Sequence, residues 1–414
     1  MSDKRHGSWP SATLSDVCTM VTVGIVIRPA QYYADNGVRC FRSLNVREDA
    51  VGDRSWVYIT PAGNAANTKS RLAAGDVLIV RSGEPGVACV VPDEYSGCNC
   101  IDLIIARPNT ERVLPAYLCA FINSGPAKRQ IQRLQGGLAQ CHLNVSAACK
   151  LRLPLPSVKE QAAIAHLYHT WNRQLDLAAR RIGLASRLRR GLAQQLLTGK
   201  RRFPEFIRSS AFRRTRFGSL PADWPYLRVG DIAREVNERN GHDKPIPVLS
   251  CTKYDGLVDS LAYFSRQVFS EDTSGYKVVR RNQFAYATNH IEEGSIGLLT
   301  NQDAGLVSPM YTVFATDGRV DPPFLYAMFK TETYLHIFRV NTNGSINRRG
   351  GLRWDEFAAI RVALPSLEEQ RRIAAVLSVA DREIALLKQE LDLLKKQKRG
   401  LMQKLLTGQI RVKV

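Results

Sequence analysis

The chain has 414 residues, enough for two to four domains that each bury a core. Its composition, 44% hydrophobic and 23% charged, is that of a folded globular protein, and no stretch approaches the roughly 18 consecutive apolar residues of a membrane span. The net charge of +20 calls for a polyanionic partner rather than a small neutral one. Residues 1–10 lack the apolar core of a signal peptide, and eight of the nine cysteines precede residue 150, which argues against a disulfide framework. A cytoplasmic location without membrane partners is expected.

The charge is uneven. It is +4 over residues 1–150, +12 over 151–216, −2 over 217–360 and +6 over 361–414. The excess lies in two related segments and in the linker after the first, which holds Arg201, Arg202, Arg208, Arg213, Arg214 and Arg216. Such a surface attracts phosphates regardless of sequence, so nucleic acid is the expected partner.

Residues 1–152 read as a first mixed α/β region. Strand-like runs occur at 76–80 and 100–105, and a short apolar helix is predicted from Pro115. Polar, Gly-broken stretches between them supply candidate DNA contacts: Lys69, Arg71, Arg81, Arg129, Arg133, Gln140 and His142. Arg pairs bidentately with guanine and Asn or Gln with adenine, whereas Lys more often holds phosphate. Cys98-x-Cys100 with Cys141-His142 does not have zinc-ligand spacing, so small buried thiols are expected and no metal.

Residues 153–200 read as one long helix. Ser157-x-x-Glu160 is a capping box at its start, and Gly199 is placed for a left-handed cap at its end. Between them Ile164, Tyr168, Trp171, Leu175, Ala178, Ile182, Ala185, Arg189, Leu192 and Leu196 keep an alternating 4-3 spacing, the seam of a coiled coil about 60 Å long. Arg189 is its one charged slot, a device that could fix register or a charge tolerated near a fraying end. Gly191, inside a strong helix, suggests close backbone approach to a partner helix or another subunit.

After the basic linker 201–216, residues 217–361 repeat the plan of the first region with dissimilar sequence. Trp224-Pro225 answers Trp9-Pro10, the runs 283–287 and 310–315 read as strands, and Pro322 starts a helix. Its candidate contacts are Lys253, Tyr254, Lys277, Arg280, Arg281, Asn289, His290, Asn343, Arg348 and Arg349. Residues 362–414 then repeat the helix at a constant offset of 209 residues: Ser366-x-x-Glu369, the seam from Ile373 to Leu405, the charged slot at Lys398, Gly400, and Thr407-Gly408. If the second helix leads back along the first, the pair is antiparallel and the chain closes on itself with a pseudo-two-fold.

Enzyme signals are weak. Asp321-Pro322-Pro323-Phe324 matches an amino-methyltransferase motif, but no Gly-rich cofactor loop accompanies it, and the first region has Leu114-Pro115-Ala116-Tyr117 at that place. A helix start explains both copies. There is no phosphate-binding Gly-x-x-x-x-Gly-Lys-Ser/Thr loop, no metal-nuclease core, and no triad or metal spacing among the seven histidines.

The Leu-Pro-Leu-Pro-Ser-x-x-Glu-Gln and Leu-Leu-Thr-Gly signatures, duplicated around two dissimilar regions, resemble the specificity subunits of type I restriction–modification systems. So do Gly75-Asp-Val-Leu78 and Gly136 to Gln140 with Leu143-Asn144. The second region departs there, reading Gly344-Ser-Ile-Asn-Arg348. The resemblance implies a non-catalytic, double-stranded-DNA-binding subunit of a host-defence complex. Each target recognition domain would read half of a bipartite asymmetric site, and the helices would set the gap and dock two modification subunits. Those would carry S-adenosylmethionine, with no cofactor on this chain, and restriction–translocation subunits would join them. A single-chain methyltransferase or nuclease, or a coiled-coil adaptor without DNA binding, are the alternatives.

Overall fold

The computed structural model describes residues 9–135, 142–215, 218–241, 246–343 and 351–413. In chain order the elements that position the site are strands β1 (Cys18–Val23), β2 (Val77–Val80), β3 (Ala88–Val90) and β4 (Leu103–Pro108), and helices α1 (Pro115–Ile122), α2 (Gly125–Leu134) and α3 (Val158–Leu197). They are followed by β5 (Ala233–Val236), β6 (Phe284–Ala287), β7 (Ile296–Leu298), β8 (Tyr311–Thr316), α4 (Pro322–Phe329), α5 (Glu332–Asn343) and α6 (Leu367–Leu406). The fold is mixed α/β, and α3 and α6 are each 40 residues long.

The chain forms two compact units, 1–181 with 388–414, and 182–387. In the first, an antiparallel sheet of order β1-β4-β2-β3 carries α1 on one face. Tyr117–Ile122 of α1 are buried together with Val77, Ile79, Ala88 and Ile104 of the sheet and with Ile164, Tyr168, Met402 and Leu405 of the long helices. Each fully buried Val, Leu, Ile, Phe or Met among these contributes about 1.5–3 kcal/mol. The second unit repeats the design. Its sheet has the order β5-β8-β6-β7, α4 packs on it, and the core takes Leu196 from α3 and Ile373 and Leu377 from α6. Here the packing is aromatic, with Phe284 and Phe314 stacked at 4.6 Å.

The regions entering and leaving each sheet are tied by a short ladder. Ser11–Thr13 pairs with Arg152–Pro154, and Tyr226–Arg228 pairs with Arg361–Ala363. A buried tyrosine pins each ladder: the Tyr117 hydroxyl donates to the Pro154 carbonyl at 2.9 Å and Tyr334 to Arg361 at 3.1 Å. Buried Gln161 accepts from the Leu114 amide just before α1, and Gln370 accepts from the Asp321 amide just before α4, both at 2.8 Å. The repeated Glu-Gln dipeptide thus fastens the long helix to its sheet domain.

The 4-3 seam holds along both helices: every seam position is buried or half-buried and the positions between are mostly exposed. In the first unit Asn172 meets Lys398, and Arg181 lies 3.8 Å from Glu390, so numbers fall along one helix as they rise along the other. The second unit has the same antiparallel sense in Arg189 with Asp381, a bidentate pair at 2.8 and 2.9 Å. The shared charged slot is therefore satisfied in both copies, by Asp381 for Arg189 and by Asn172 and Glu48 for Lys398.

Three expectations change. Ser157 and Ser366 do cap the N3 amides at 3.3 Å, but the glutamates do not complete a capping box. Glu160 instead binds the Arg411 guanidinium at 2.7 and 2.8 Å, and Glu369 binds Arg202 at 2.8 and 2.9 Å. Arg202, counted above with the linker's exposed charge, is accordingly buried and also grips Asp223. Gly191 and Gly400 make no close approach to the partner helix: they lie off the seam, and an added Cβ would meet no described atom within 4 Å. Gly199 and Gly408 do take the left-handed conformation, with φ +66° and +73°.

Candidate nucleic-acid interface

In the first unit three chain segments converge beside the sheet. Arg81 follows β2, Asp102 precedes β4, and His142 leads back into the core through Leu143. Arg81 uses all its nitrogens. Nη1 meets Asp102 at 2.6 Å, Nε donates to the Leu143 carbonyl at 3.1 Å, and Nη2 faces His142 Nε2. His142 Nδ1 is 2.7 Å from the Ser82 hydroxyl. Asp102 reaches this position through a left-handed φ of +51°, which splits the expected 100–105 strand at Ile101-Asp102. Arg81 therefore holds His142 and Leu143 in place and has little left for a base edge. Gln140 lies outside the described residues.

Lys69 lies in a tight helical turn that Arg71 closes, and both are exposed, with no carboxylate partner among the described residues. Arg129 and Arg133 stand exposed on α2. Asp76 of the Gly75-Asp76 motif is buried and occupied by Arg107 at 2.7 and 2.8 Å.

The second unit treats its cations differently. Arg280 is bidentate with Glu238 at 2.9 and 2.5 Å, Arg281 lies 2.9 Å from Asp303, and Lys277 lies 3.8 Å from Glu235. Glu238 hydrogen-bonding holds Arg280 above its ordinary pKa. To grip a phosphate these side chains would first have to leave a carboxylate. Lys253 and Tyr254 form an exposed turn after the Leu249–Thr252 strand, with the Lys253 amine 5.5 Å from the Tyr254 ring centroid. His290 sits 3.5 Å from Glu293, and Asn289 is exposed nearby. Arg348, Arg349 and the side chain of Asn343 lie outside the described residues.

Sequence reading missed the acids that neutralise the second unit, although the −2 balance of 217–360 was a signal for them. It also missed Arg39, exposed over Trp56 and Tyr95 at 5.5 and 5.7 Å, where two aromatic faces and a cation form a stacking platform. Asp321 accepts from the Phe324 amide at 3.1 Å, so the carboxylate of the methyltransferase-like motif is committed to capping α4. Burial pushes the thiols of Cys40, Cys89 and Cys251 up to about 12. Cys100 is fully buried and Cys141 lies outside the described residues. No helix among the described residues is long and apolar enough to cross a membrane.

Two sheet domains of one topology, each fastened by the same Glu-Gln dipeptide to a duplicated helical frame and each with its own polar rim, define a protein with two recognition domains. A family model for the type I restriction modification DNA specificity domain matches residues 243–396. The chain is similar to the MjaX type I restriction enzyme specificity subunit of Methanocaldococcus jannaschii, 21% identical over 98% of this chain and 94% of that one. It is also similar to the MjaVIII specificity subunit of the same organism, 22% identical over 66% of this chain and 65% of that one. Two solved chains share the fold. One comes from work on complex assembly and conformational transition of the type I system (16% identity, 99% and 100% coverage, TM-score 0.57). The other is the S subunit from M. genitalium (13% identity, 98% of each chain, TM-score 0.56). Residues 243–396 thus match a type I restriction modification DNA specificity domain, and the chain is similar along nearly its whole length to a type I specificity subunit.

Proposed function

We propose that residues 1–152 and 217–361 are two target recognition domains that each read one half of a bipartite, asymmetric double-stranded DNA site. Residues 153–200 and 362–414 are the spacers that set the gap between the halves, and 201–216 is the linker. One observation carries this reading: the two sheets have the same strand order and the same anchoring contacts, yet their polar rims differ residue by residue. Lys69, Arg71, His142, Lys253, Tyr254, Asn289 and His290 are the described side chains best placed as contacts, because carboxylates do not already hold most of them. Lys277, Arg280 and Arg281 would act only by exchanging their acids for phosphate.

The chain carries no chemistry of its own on this reading. Two modification subunits supply S-adenosylmethionine and methylate adenine, restriction–translocation subunits complete the assembly, and the complex works in the cytoplasm. Docking is supported by exposed leucines on the long helices. By the register of Asn172 with Lys398 and of Arg189 with Asp381, exposed Leu177 falls opposite exposed Leu393 in the first unit and exposed Leu184 opposite exposed Leu386 in the second. Genome-wide mapping of methylated adenine with and without the chain tests the function. The expected result is one bipartite motif that vanishes when the chain is removed, and an unchanged methylation map would overturn it.

A further inference from the structure

Each unit contains a cavity against the last turns of one long helix, at positions that correspond between the two repeats. In the first, about 500 Å³ lies between the start of α2 and the last turns of α6, floored by Tyr168, Leu175 and Met402 and rimmed by Lys128, Lys398 and Arg399. In the second, about 550 Å³ lies between the start of α5 and the last turns of α3, floored by Met328, Tyr334 and Leu197 and rimmed by Arg189, Arg190 and Lys330. The helix residues correspond at the 209-residue offset: Lys398 with Arg189, Arg399 with Arg190, Met402 with Ala193, Gln403 with Gln194. Glu48 and Glu332 are the single acids lining the first and second cavity. Lys398 and Arg189 are already matched to acids at the seam, whereas Arg399 and Arg190 are exposed with no hydrogen bond or ion pair among the described residues. The rim is thus cationic beyond what the fold uses.

We propose that these cavities are a duplicated docking site for an acidic segment of the modification subunit, one that inserts an apolar or aromatic side chain onto the floor and places carboxylates on the rim. The inference rests on the reading that modification subunits assemble with this chain, and it names where and by what chemistry each copy is held. A phosphate backbone would satisfy the rim but leave the apolar floor empty, so DNA is the poorer occupant. A segment combining an apolar anchor with carboxylates satisfies both, and cavities of this size take such groups. Two cavities that share these repeat-related helix residues call for two copies of one partner, each meeting the same stretch of helix.

Arg190→Glu, Arg399→Glu and the double variant of the full chain test this, with the modification subunit encoded alongside it as the probe. Circular dichroism checks folding, native mass spectrometry counts bound copies, and a titration gives affinity. The wild-type chain should bind two copies. Each single reversal should weaken one copy roughly tenfold or more, the double should weaken both, and Arg399→Lys should bind as wild type. A double variant that still binds two copies at unchanged affinity overturns the proposal and leaves the assembly reading intact. So does one that loses only affinity for a short DNA duplex, which would give the cavities to nucleic acid. A wild-type chain that binds no copy overturns the assembly reading itself.

Discussion

Glu160 receives the Arg411 guanidinium in a bidentate pair although 251 residues separate them, and the guanidinium stacks over Trp9 at 4.9 Å. The same node recurs in the second unit, with Glu369 and Arg202 at the 209-residue offset: Glu369 binds Arg202, and Arg202 stacks over Trp224 at 5.4 Å. In each, the start of one long helix, the tail of the other and the first residues of a sheet domain meet at one arginine. The C-terminal tail is thereby tied to the N-terminal domain just as the linker is tied to the second.

Arg202→Ala should destabilise the second unit by roughly 3–5 kcal/mol, the cost of stranding a buried carboxylate. Arg411→Ala should cost the first unit less, because Arg411 is 37% exposed where Arg202 is 6% exposed. Hydrogen exchange on the full chain resolves the two. Equal effects would show that burial does not set the strength of the node.

The pair also sets an acid limit. The Arg411 guanidinium holds the Glu160 carboxyl below its ordinary value of 4.5. The folded state then binds that proton less readily than the unfolded chain, so the contribution is complete above the unfolded value and lost as pH falls through the lowered folded one. Glu160→Gln should be less stable than wild type at neutral pH, and the difference should shrink below about pH 4. A difference that stays constant with pH would remove Glu160 from the acid response.

Much of the frame was legible because helices and their seams are local patterns: the 4-3 spacing, the Ser caps and the Gly199 and Gly408 stops needed only nearby residues. The partner of Glu160 was not, since a capping box and a remote ion pair use the same Ser-x-x-Glu. The signal lay just past the motif's end, where Arg202 and Arg411 each follow the Thr-Gly by three residues. The interface was less legible for a physical reason. Whether an arginine is free depends on acids brought in by folding, and Glu238 and Asp303 stand far from Arg280 and Arg281 in sequence. Asp102 was read as part of a strand because its left-handed φ leaves no mark on a run of apolar neighbours.

Gly199→Ala should cost the second unit about 1–2 kcal/mol from backbone conformation alone, and more from packing. Its Cβ would fall 2.3 Å from Pro221 Cγ, whereas at Gly408 the nearest atom, on Trp9, is 3.1 Å away. Gly408→Ala should therefore be the milder change in a thermal unfolding comparison, and the reverse order would contradict the packing argument.

Lys69→Ala and Arg71→Ala should each lower the slope of log affinity against log salt by about 0.9 if each holds one phosphate. Arg280→Ala and Arg281→Ala should leave it nearly unchanged, because Glu238 and Asp303 already neutralise them. A fluorescence titration on a duplex containing the target checks this. Equal slope losses at all four would mean the acids release their arginines on binding.

The central claim, two independent readers on one repeated frame, is tested most directly by replacing residues 217–361 with the second recognition domain of another specificity subunit and mapping methylated adenines. One half-site should change while the other half-site and the gap between them stay as they were. A change in both half-sites, or in the gap, would contradict it.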